Sequence, residues 1–449
     1  MSRNDFPTPG TFTMIAKVMA GATPSPIRTI IRVAGGVSAM AIIGQFTLVA
    51  AIPLLARLYS PADFGIFTIY LSIVNILGSI AALRFESSIY VVENKVRGQV
   101  AFKLVLLAVF VTSVTTLAAG YLLLRVAPGR LSHLVWLVPI GMAGAAIAEA
   151  MSCWSLRFGY VRDFAIGRVI QPATMAFLQL IFGVAQLGGE AMAYAHILSQ
   201  AVLILVIGTR ILSWEDASGI VRAPWLTVVA AARREYKFPL FDLPAALAGF
   251  TIINLPAILI GSLFGASFAG FFGVAARFVT APIALIANPL GNVFVAIANE
   301  GRNDRSLLGT ARGLLILAAG VIALPILGLG LAAPYFVVPL LGEPWMVAGQ
   351  IMSALACMGA AQALATPLQM VPTILRRQEV RLLVEVARTL LMFGPLAVGV
   401  HAGWQPLHVI YLMAAGGAVG FALSAAASLL LLTRDAQSDG VCTTTELVE

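Results

Sequence analysis

The feature that most constrains this chain is the recurrence of apolar stretches about 20 residues long. A helix of roughly 20 apolar residues crosses a hydrocarbon core about 30 Å thick and satisfies its backbone hydrogen bonds internally. The sequence contains twelve such stretches and therefore predicts twelve membrane-spanning helices. They are predicted over residues 33–56, 65–83, 104–124, 134–154, 169–188 and 191–209, and then over 243–264, 267–290, 313–333, 348–371, 382–401 and 406–432.

Composition supports the same class and excludes two others. With 60% hydrophobic and only 11% charged residues, the chain is far more apolar than a soluble protein of 449 residues. A net charge of +8 could suggest nucleic acid as a partner. The basic residues are scattered between apolar runs and form no stripe, so no nucleic-acid interface is predicted.

The placement of the basic residues predicts the orientation in the membrane. Lys and Arg near span ends are retained in the cytoplasm. With an even number of spans and a cytoplasmic N-terminus, 24 of the 28 basic residues fall in cytoplasmic segments. The exceptions are Arg57, Arg125 and Arg130 in outer segments and Arg277 within a span. Both termini are therefore predicted to be cytoplasmic.

The spans divide into two halves around one long connection. The predicted domains are a cytoplasmic tail over 1–30, a six-helix bundle over 31–212, a cytoplasmic linker over 213–239, a second six-helix bundle over 240–432 and a cytoplasmic tail over 433–449. The linker mixes tryptophans and valines with arginines, which is typical of an interfacial helix.

A weak internal repeat favours two related bundles. The stretch "LYSPADFGIF" after span one aligns with "LFGASFAGFF" after span seven, 205 residues later. Both spans would cross in the same direction, so the repeat is parallel, about an axis along the membrane normal. Two six-helix bundles that face each other across a cavity form a transporter architecture.

Motifs for several kinds of chemistry are missing from the sequence. There is no G-x-x-x-x-G-K-[ST] phosphate loop, no H-E-x-x-H metal motif and no G-x-S-x-G nucleophile elbow. The three cysteines and four histidines are widely separated. The sequence thus predicts no cofactor, no metal and no enzymatic activity.

Charged residues within spans cost on the order of 3 kcal/mol each, so they tend to face a cavity or a partner. Arg277 lies deep in span eight, where lining of a transport path competes with a structural salt bridge. Glu149, in the inner half of span four, could pair with an arginine or take up a proton. Arg84 and Glu86, at the inner end of span two, and Asp242, at the inner end of span seven, are either solvated end charges or functional groups.

Three stretches resemble bacterial oligosaccharide flippases of the Wzx type, in the polysaccharide transporter branch of the MOP superfamily. They are "ARLYSPADFGIFTIYLSIVNILGSIAALRFESSIYV", "GFFGVAARFVTAPIALIANPLGNVFVAIANE" and "APYFVVPLLGEPWMVAGQIM", the last containing a Gly-Glu-x-Trp turn. The resemblance extends over essentially the whole chain from about residue 30.

The resemblance implies a multi-pass protein of the bacterial inner membrane with two six-helix bundles of the MOP and MATE type. Such a protein moves undecaprenyl-diphosphate-linked sugar repeats between leaflets for polysaccharide or lipopolysaccharide synthesis. Its partners would be the lipid-linked oligosaccharide, membrane lipid, and the polymerase and glycosyltransferases of the same pathway. The headgroup diphosphate would be bound by Arg277, with Arg57 and Arg84 as further candidates, because the guanidinium fork matches phosphate oxygens. Ion coupling would fall to Glu86, Glu149 or Asp242.

Two other readings of the sequence remain open. An ion-coupled multidrug exporter of the same fold would need acidic residues in the first bundle, where Glu149 is available. A membrane-embedded polysaccharide polymerase or ligase would place arginines in a large outer loop. The longest predicted outer loops hold two arginines at most.

Overall fold

The fold is all-α. A computed structural model of the protein describes residues 25–126, 134–300, 304–375 and 377–445, and no strand occurs among them. Residues 1–24 of the predicted tail over 1–30 therefore lie outside the described residues. Arg130 also lies outside them. In the described part of the chain, twelve helical stretches are long and apolar enough to cross a membrane, which confirms the predicted number.

The helices follow each other with short connections. The first group is α1 (Ser25–Leu58), α2 (Pro61–Ala81), α3 (Lys95–Val126), α4 (Leu134–Arg157), α5 (Val161–Val184) and α6 (Gly189–Ile211). The linker contains α7 (Trp214–Arg222) and α8 (Trp225–Arg234). The second group is α9 (Leu243–Phe264), α10 (Ala266–Pro282), α11 (Asn288–Glu300), α12 (Asp304–Ala318), α13 (Leu324–Leu341), α14 (Met346–Ala365), α15 (Val371–Ile374), α16 (Gln378–His401) and α17 (Pro406–Thr445).

Three of the later spans consist of more than one helix, and proline explains the interruptions. The π-helical turn Ile283–Ala287 joins α10 to α11, and Ala319–Ala323 joins α12 to α13. A proline ring clashes with the carbonyl four residues before it. For Pro289 and Pro325 that carbonyl lies inside the widened turn, which relieves the clash. The tenth span is interrupted by a 3-10 turn at Thr366–Leu368, around Pro367.

The packing divides the chain into two compact units. Among the described residues, unit 1 contains those up to Ala51 and those within 62–261, and unit 2 contains Ile52–Pro61 and those from Ser262 onward. The end of α1 therefore packs in unit 2, and most of α9 packs in unit 1. The domain boundaries given by the sequence stay a prediction.

Unit 1 has an aromatic core near the end of α4. Trp154 and Ile89 are fully buried, and the ring of Phe102 meets Trp154 edge-on with centroids 5.9 Å apart. Phe158 tilts against the same indole at 4.5 Å. This cluster joins α3, α4 and the 3-10 segment Phe85–Val91 that follows α2.

The linker folds onto α3 through polar contacts. Ser213 and Asp216 form a capping box that starts α7, with the Ser213 hydroxyl accepting from the Asp216 N–H at 3.1 Å. Lys95 pairs with Asp216 at 3.3 Å, and Lys103 donates to the Val221 and Ala223 carbonyls at 2.7 Å each. The linker is thus two short docked helices. Its location at a membrane surface stays a prediction.

Unit 2 contains a close helix crossing that depends on glycine. A Cβ on Gly416 of α17 would overlap the Leu391 carbonyl oxygen of α16. We expect Gly416→Ala to destabilise the protein by about 1–3 kcal/mol, because backbone atoms cannot yield as side chains do. Thermal melting in detergent measures this. Gly394→Ala on α16 is the control, because its Cβ would meet nothing within 4 Å, and an equal loss in both variants would contradict the prediction.

Candidate functional site

Unit 1 encloses a polar cavity of about 190 Å³ among α2, α4, α5 and α6. Polar side chains are costly to place in membrane-spanning helices, and those that occur there are often functional. The polar side chains that line the cavity include Asn75, Glu149, Arg168, Gln171, His196 and Gln200. The cavity therefore offers hydrogen-bond donors, acceptors and both signs of charge within one helix bundle.

A buried histidine orders one wall of this cavity. The Tyr70 hydroxyl lies 3.2 Å from Nδ1 of His196, and the Gln200 amide nitrogen lies 3.2 Å from Nε2. Both ring nitrogens therefore have a polar neighbour, and the tautomer decides which nitrogen donates. Gln200 Oε1 is buried without a hydrogen-bond partner in the described residues. A Cβ on Gly144 would overlap this oxygen, so a larger residue here would displace the Gln200 side chain where α4 approaches α6.

Glu149 and Arg168 bring opposite charges to the cavity. Glu149, for which the sequence left pairing with an arginine and proton uptake open, is exposed on α4 and lines the cavity. Arg168 on α5 lines the same cavity and stacks on the Phe164 ring, with its guanidinium carbon 4.8 Å from the ring centroid. The arrangement can hold a proton or cation at Glu149 and an anion at Arg168.

The ends of α2 and α9 carry an ion cluster. Arg84 Nε donates to Asp242 at 2.8 Å, and Arg84 Nη1 pairs with Glu86 at 3.1 Å. The structure thus brings together three of the six residues singled out by the sequence. Arg84 and Leu83 both adopt left-handed backbone angles, with φ of 63° and 51°. Non-glycine residues rarely do so, and such strain concentrates at functional sites.

Glu86 is the most buried carboxylate of the cluster. Its residue is 4% exposed, and Oε2 has no hydrogen-bond partner in the described part of the chain. Burial raises the pKa of Glu86, because desolvation disfavours the charged form and outweighs the nearby charge of Arg84. Glu86 is therefore easier to protonate than an ordinary glutamate.

The Arg84–Asp242 pair predicts measurable coupling. In a double-mutant cycle of Arg84→Ala and Asp242→Asn, we expect a coupling free energy of unfolding of about 1 kcal/mol, since the pair is partly shielded from solvent. Chemical unfolding of the purified protein measures it. The exposed Arg97–Glu93 pair serves as the control, with coupling near zero. Strictly additive losses at Arg84 and Asp242 would contradict the prediction.

The other two predicted arginines lie in unit 2. Arg277 is half-buried in α10, between the buried residues Ala275 and Val279. Arg57, at the end of α1, is exposed and donates to the Pro339 carbonyl at 3.2 Å. The structure does not place either of them in the unit 1 cavity.

The Gly-Glu-x-Trp turn lies next to the end of α1, where Arg57 is located. Gly342 turns the chain with φ of 105°, and Trp345 then points its indole N–H at the Ala56 carbonyl, 3.0 Å away. The last carbonyls of a helix have no partner within the helix. Trp345 caps the end of α1, and Arg57 caps the end of α13 in return.

Arg168, His196 and Gln200 were not among the residues that the sequence singled out for function. Arg168 was counted as one of the basic residues at a cytoplasmic span end. Its helical spacing to Gln171, and that of His196 to Gln200, was the available signal, because residues three or four apart share a helix face.

Sequence comparison identifies the family. Residues 54–350, about two thirds of the chain, match the family described as "Polysaccharide biosynthesis protein". The chain belongs to this family. Among curated relatives, teichuronic acid biosynthesis protein TuaB of Bacillus subtilis (strain 168) is 24% identical over 219 residues. That alignment spans 46% of this chain and 44% of TuaB.

Solved structures establish the fold of the chain. The lipid II flippase MurJ, in an inward closed conformation, aligns with a TM-score of 0.66 at 10% identity, over 91% of this chain and 87% of that chain. The MATE transporter VcmN of Vibrio cholerae aligns at 0.58 and 12%, over 92% and 98%. An inward-facing MATE family transporter of the MOP superfamily aligns at 0.55 and 19%, over 89% and 94%.

These comparisons confirm the resemblance to polysaccharide transporters of the MOP superfamily. The chain has the fold of MATE transporters and MurJ, and its described residues include twelve helical stretches that are long and apolar enough to span a membrane, so it is a multi-pass membrane protein.

Proposed function

We propose that this protein is a flippase that moves undecaprenyl-diphosphate-linked oligosaccharide from the inner to the outer leaflet by alternating access. The polar cavity of unit 1 is the observation that carries this proposal. Each sugar hydroxyl stranded in hydrocarbon without a hydrogen bond costs several kcal/mol. Amides, a carboxylate and a guanidinium within the helix bundle lower that barrier, while the polyprenyl tail stays in the lipid.

The diphosphate is proposed to meet arginines. Arg277 is the principal candidate, because charged residues well inside a span usually face a cavity or a substrate path. Arg84 donates to Asp242 and Arg57 to the Pro339 carbonyl, so release of these contacts would give each arginine further donors for phosphate. Arg168 joins these candidates, because it lines the polar cavity.

Energy coupling is proposed to use the acidic residues near the cavity and the α2 end. The raised pKa of Glu86 suits uptake of a proton, which would weaken its attraction for Arg84. Glu149 is available to cations that enter the cavity. Asp242 pairs with Arg84 before the proton binds. Protonation of Glu86 would thereby weaken the ion cluster and permit the change between the inward-facing and outward-facing states.

The proposed topology places both termini and the linker in the cytoplasm. In that orientation the ion cluster lies at the inner end of the spans, where it would open to admit the headgroup. The polymerase and glycosyltransferases of the same pathway are the proposed partners on the two sides of the membrane.

Complementation tests the proposal. The gene is expressed in a strain that lacks its oligosaccharide flippase, and surface polysaccharide is read on a gel. Restored polysaccharide supports the flippase, and its absence in a strain that contains the protein in its membrane rejects the proposal for that glycan. Strains that make different repeat units separate failure of transport from failure of glycan recognition.

A multidrug exporter is the second candidate, because Glu149 gives the unit 1 cavity an anionic group suited to organic cations. Expression in a drug-sensitive strain tests it. A rise in resistance to cationic dyes that Glu149→Gln removes would favour the exporter. Unchanged resistance together with restored polysaccharide favours the flippase.

A further inference from the structure

A second cavity, of about 340 Å³, lies between the start of α3 and the linker helix α8. Its walls are mainly apolar. Val92, Val96, Val100 and Leu104 line one side, and Ala230 and Ala231 line the other. The volume is in the range of small-molecule sites, which run from about 300 to 1,000 Å³. None of the residues in the proposed transport site lines it.

Two arginines and a glutamate form the polar edge of the apolar cavity. Arg97 of α3 and Arg234 of α8 both line it, as does Glu235. Arg97 pairs with Glu93, and Arg234 pairs with Glu235. A guanidinium in a carboxylate pair retains donors for a phosphate oxygen. A cavity with an apolar interior and guanidinium donors at its edge fits an amphipathic molecule that carries a phosphate group.

The surroundings indicate where this molecule comes from. The cavity lies at the end of a membrane-spanning helix, since α3 begins at Lys95 and spans as Lys95–Arg125. Next to it, α8 exposes Trp225 and Leu226, with 63% and 82% exposure. Residues 93–104 and 213–237 together hold seven basic and four acidic residues. Exposed tryptophan beside excess positive charge is typical of a surface that rests on anionic lipid.

We infer that this cavity binds an anionic glycerophospholipid of the surrounding membrane, with the phosphate at Arg97 and Arg234 and part of an acyl chain between α3 and α8. The lipid would hold the linker against α3. It would add to the contacts that Lys95 and Lys103 already make with α7 and with the α7–α8 connection.

Native mass spectrometry of the purified full-length protein tests the inference, with phosphatidylglycerol and phosphatidylcholine added at equal concentrations. Preferential retention of phosphatidylglycerol is expected. Loss of one charge-assisted contact should weaken it about tenfold in Arg97→Ala and in Arg234→Ala. Arg162→Ala is the matched control, because Arg162 is an exposed arginine of unit 1 that does not line the cavity. Equal retention of both lipids by the unmodified protein would overturn the inference.

A cavity-filling variant distinguishes lipid binding inside the cavity from electrostatic attraction of lipid to the protein surface. Ala230→Trp keeps every charge and fills the space, so it should also reduce retention. Retention at the original level in Ala230→Trp would mean that charge alone attracts the lipid, and the cavity assignment would fail. Arg97→Gln and Arg234→Gln replace the alanine variants if those do not fold.

A competition experiment with undecaprenyl phosphate tests the other possible source of the ligand, since this lipid also joins a phosphate to a hydrocarbon chain. Added at the same concentration, it is expected to leave phosphatidylglycerol in place. Full displacement would assign the cavity to the polyprenyl carrier and would overturn the assignment to a glycerophospholipid.

Discussion

Replacement of Arg277 by alanine is expected to reduce surface polysaccharide about 10- to 100-fold in the complemented flippase-null strain. A hydrogen bond to a charged group contributes about 1.5–3 kcal/mol, which corresponds to this range when it is lost from a bound diphosphate. Arg277 lies half-buried in α10, so the variant removes a guanidinium within the span Ala266–Val295. Quantitative gels of surface glycan, normalised to the protein in the membrane, measure the effect.

Two variants control for this result. Arg312→Ala removes an exposed arginine of α12 in the same unit and should leave polysaccharide unchanged. Arg277→Lys keeps the charge without the fork and should retain part of the activity, because lysine binds phosphate as a point charge. Full activity of Arg277→Ala would remove this residue from the proposed headgroup site.

Replacement of Trp345 by alanine is expected to destabilise the protein by about 3–5 kcal/mol, the usual cost of truncating a fully buried tryptophan. The side chain is 1% exposed, and its ring packs edge-on against Phe271 with centroids 6.0 Å apart. The variant also leaves the Ala56 carbonyl at the end of α1 without its indole donor. Thermal and chemical unfolding in detergent measure the loss.

Trp345→Phe divides this effect into its parts. It keeps most of the ring but removes the N–H, so it should cost about 1–2 kcal/mol. Trp214→Ala, at a position that is 87% exposed, should change stability little. If Trp345→Ala melts at the temperature of the unmodified protein, the turn at Gly342 does not hold the end of α1 as described.

The number and order of spans could be predicted from the sequence because hydrophobic length is a local property. All twelve predicted stretches overlap the helical stretches of the structure, although α3 begins at Lys95 rather than near residue 104. Hydropathy alone misses such polar helix ends, since the helix continues beyond the apolar core. The π-helical turns beside Pro289 and Pro325 were also foreseeable as breaks, but not as π turns.

The hydrogen-bond partners of Arg84 and Trp345 could not be predicted, because each contact joins residues that are far apart in the sequence. Arg84 and Asp242 are separated by 158 positions, and Trp345 and Ala56 by 289. The sequence indicated that the charges of Arg84 and Asp242 needed an explanation, and it left a solvated end charge and a functional role open. The left-handed backbone at Leu83 and Arg84 has no signature in residue type, because neither residue favours it.

The polar cavity was only partly foreseeable. Glu149 was recognised because a carboxylate within a span is costly. Arg168 was not, because its place near a span end made it look like a topology signal. Only the packing of α4, α5 and α6 brings Arg168 and Glu149 to the same cavity.

Reconstituted transport tests the central claim most directly. The purified protein is placed in liposomes with undecaprenyl-diphosphate oligosaccharide that carries an oxidisable sugar, and a membrane-impermeant oxidant reports the fraction exposed outside. The account predicts that glycan initially protected inside becomes accessible with time in protein-containing liposomes, and much more slowly with Arg277→Ala. Accessibility that does not differ from that of protein-free liposomes, under an imposed ion gradient of either direction, would contradict it.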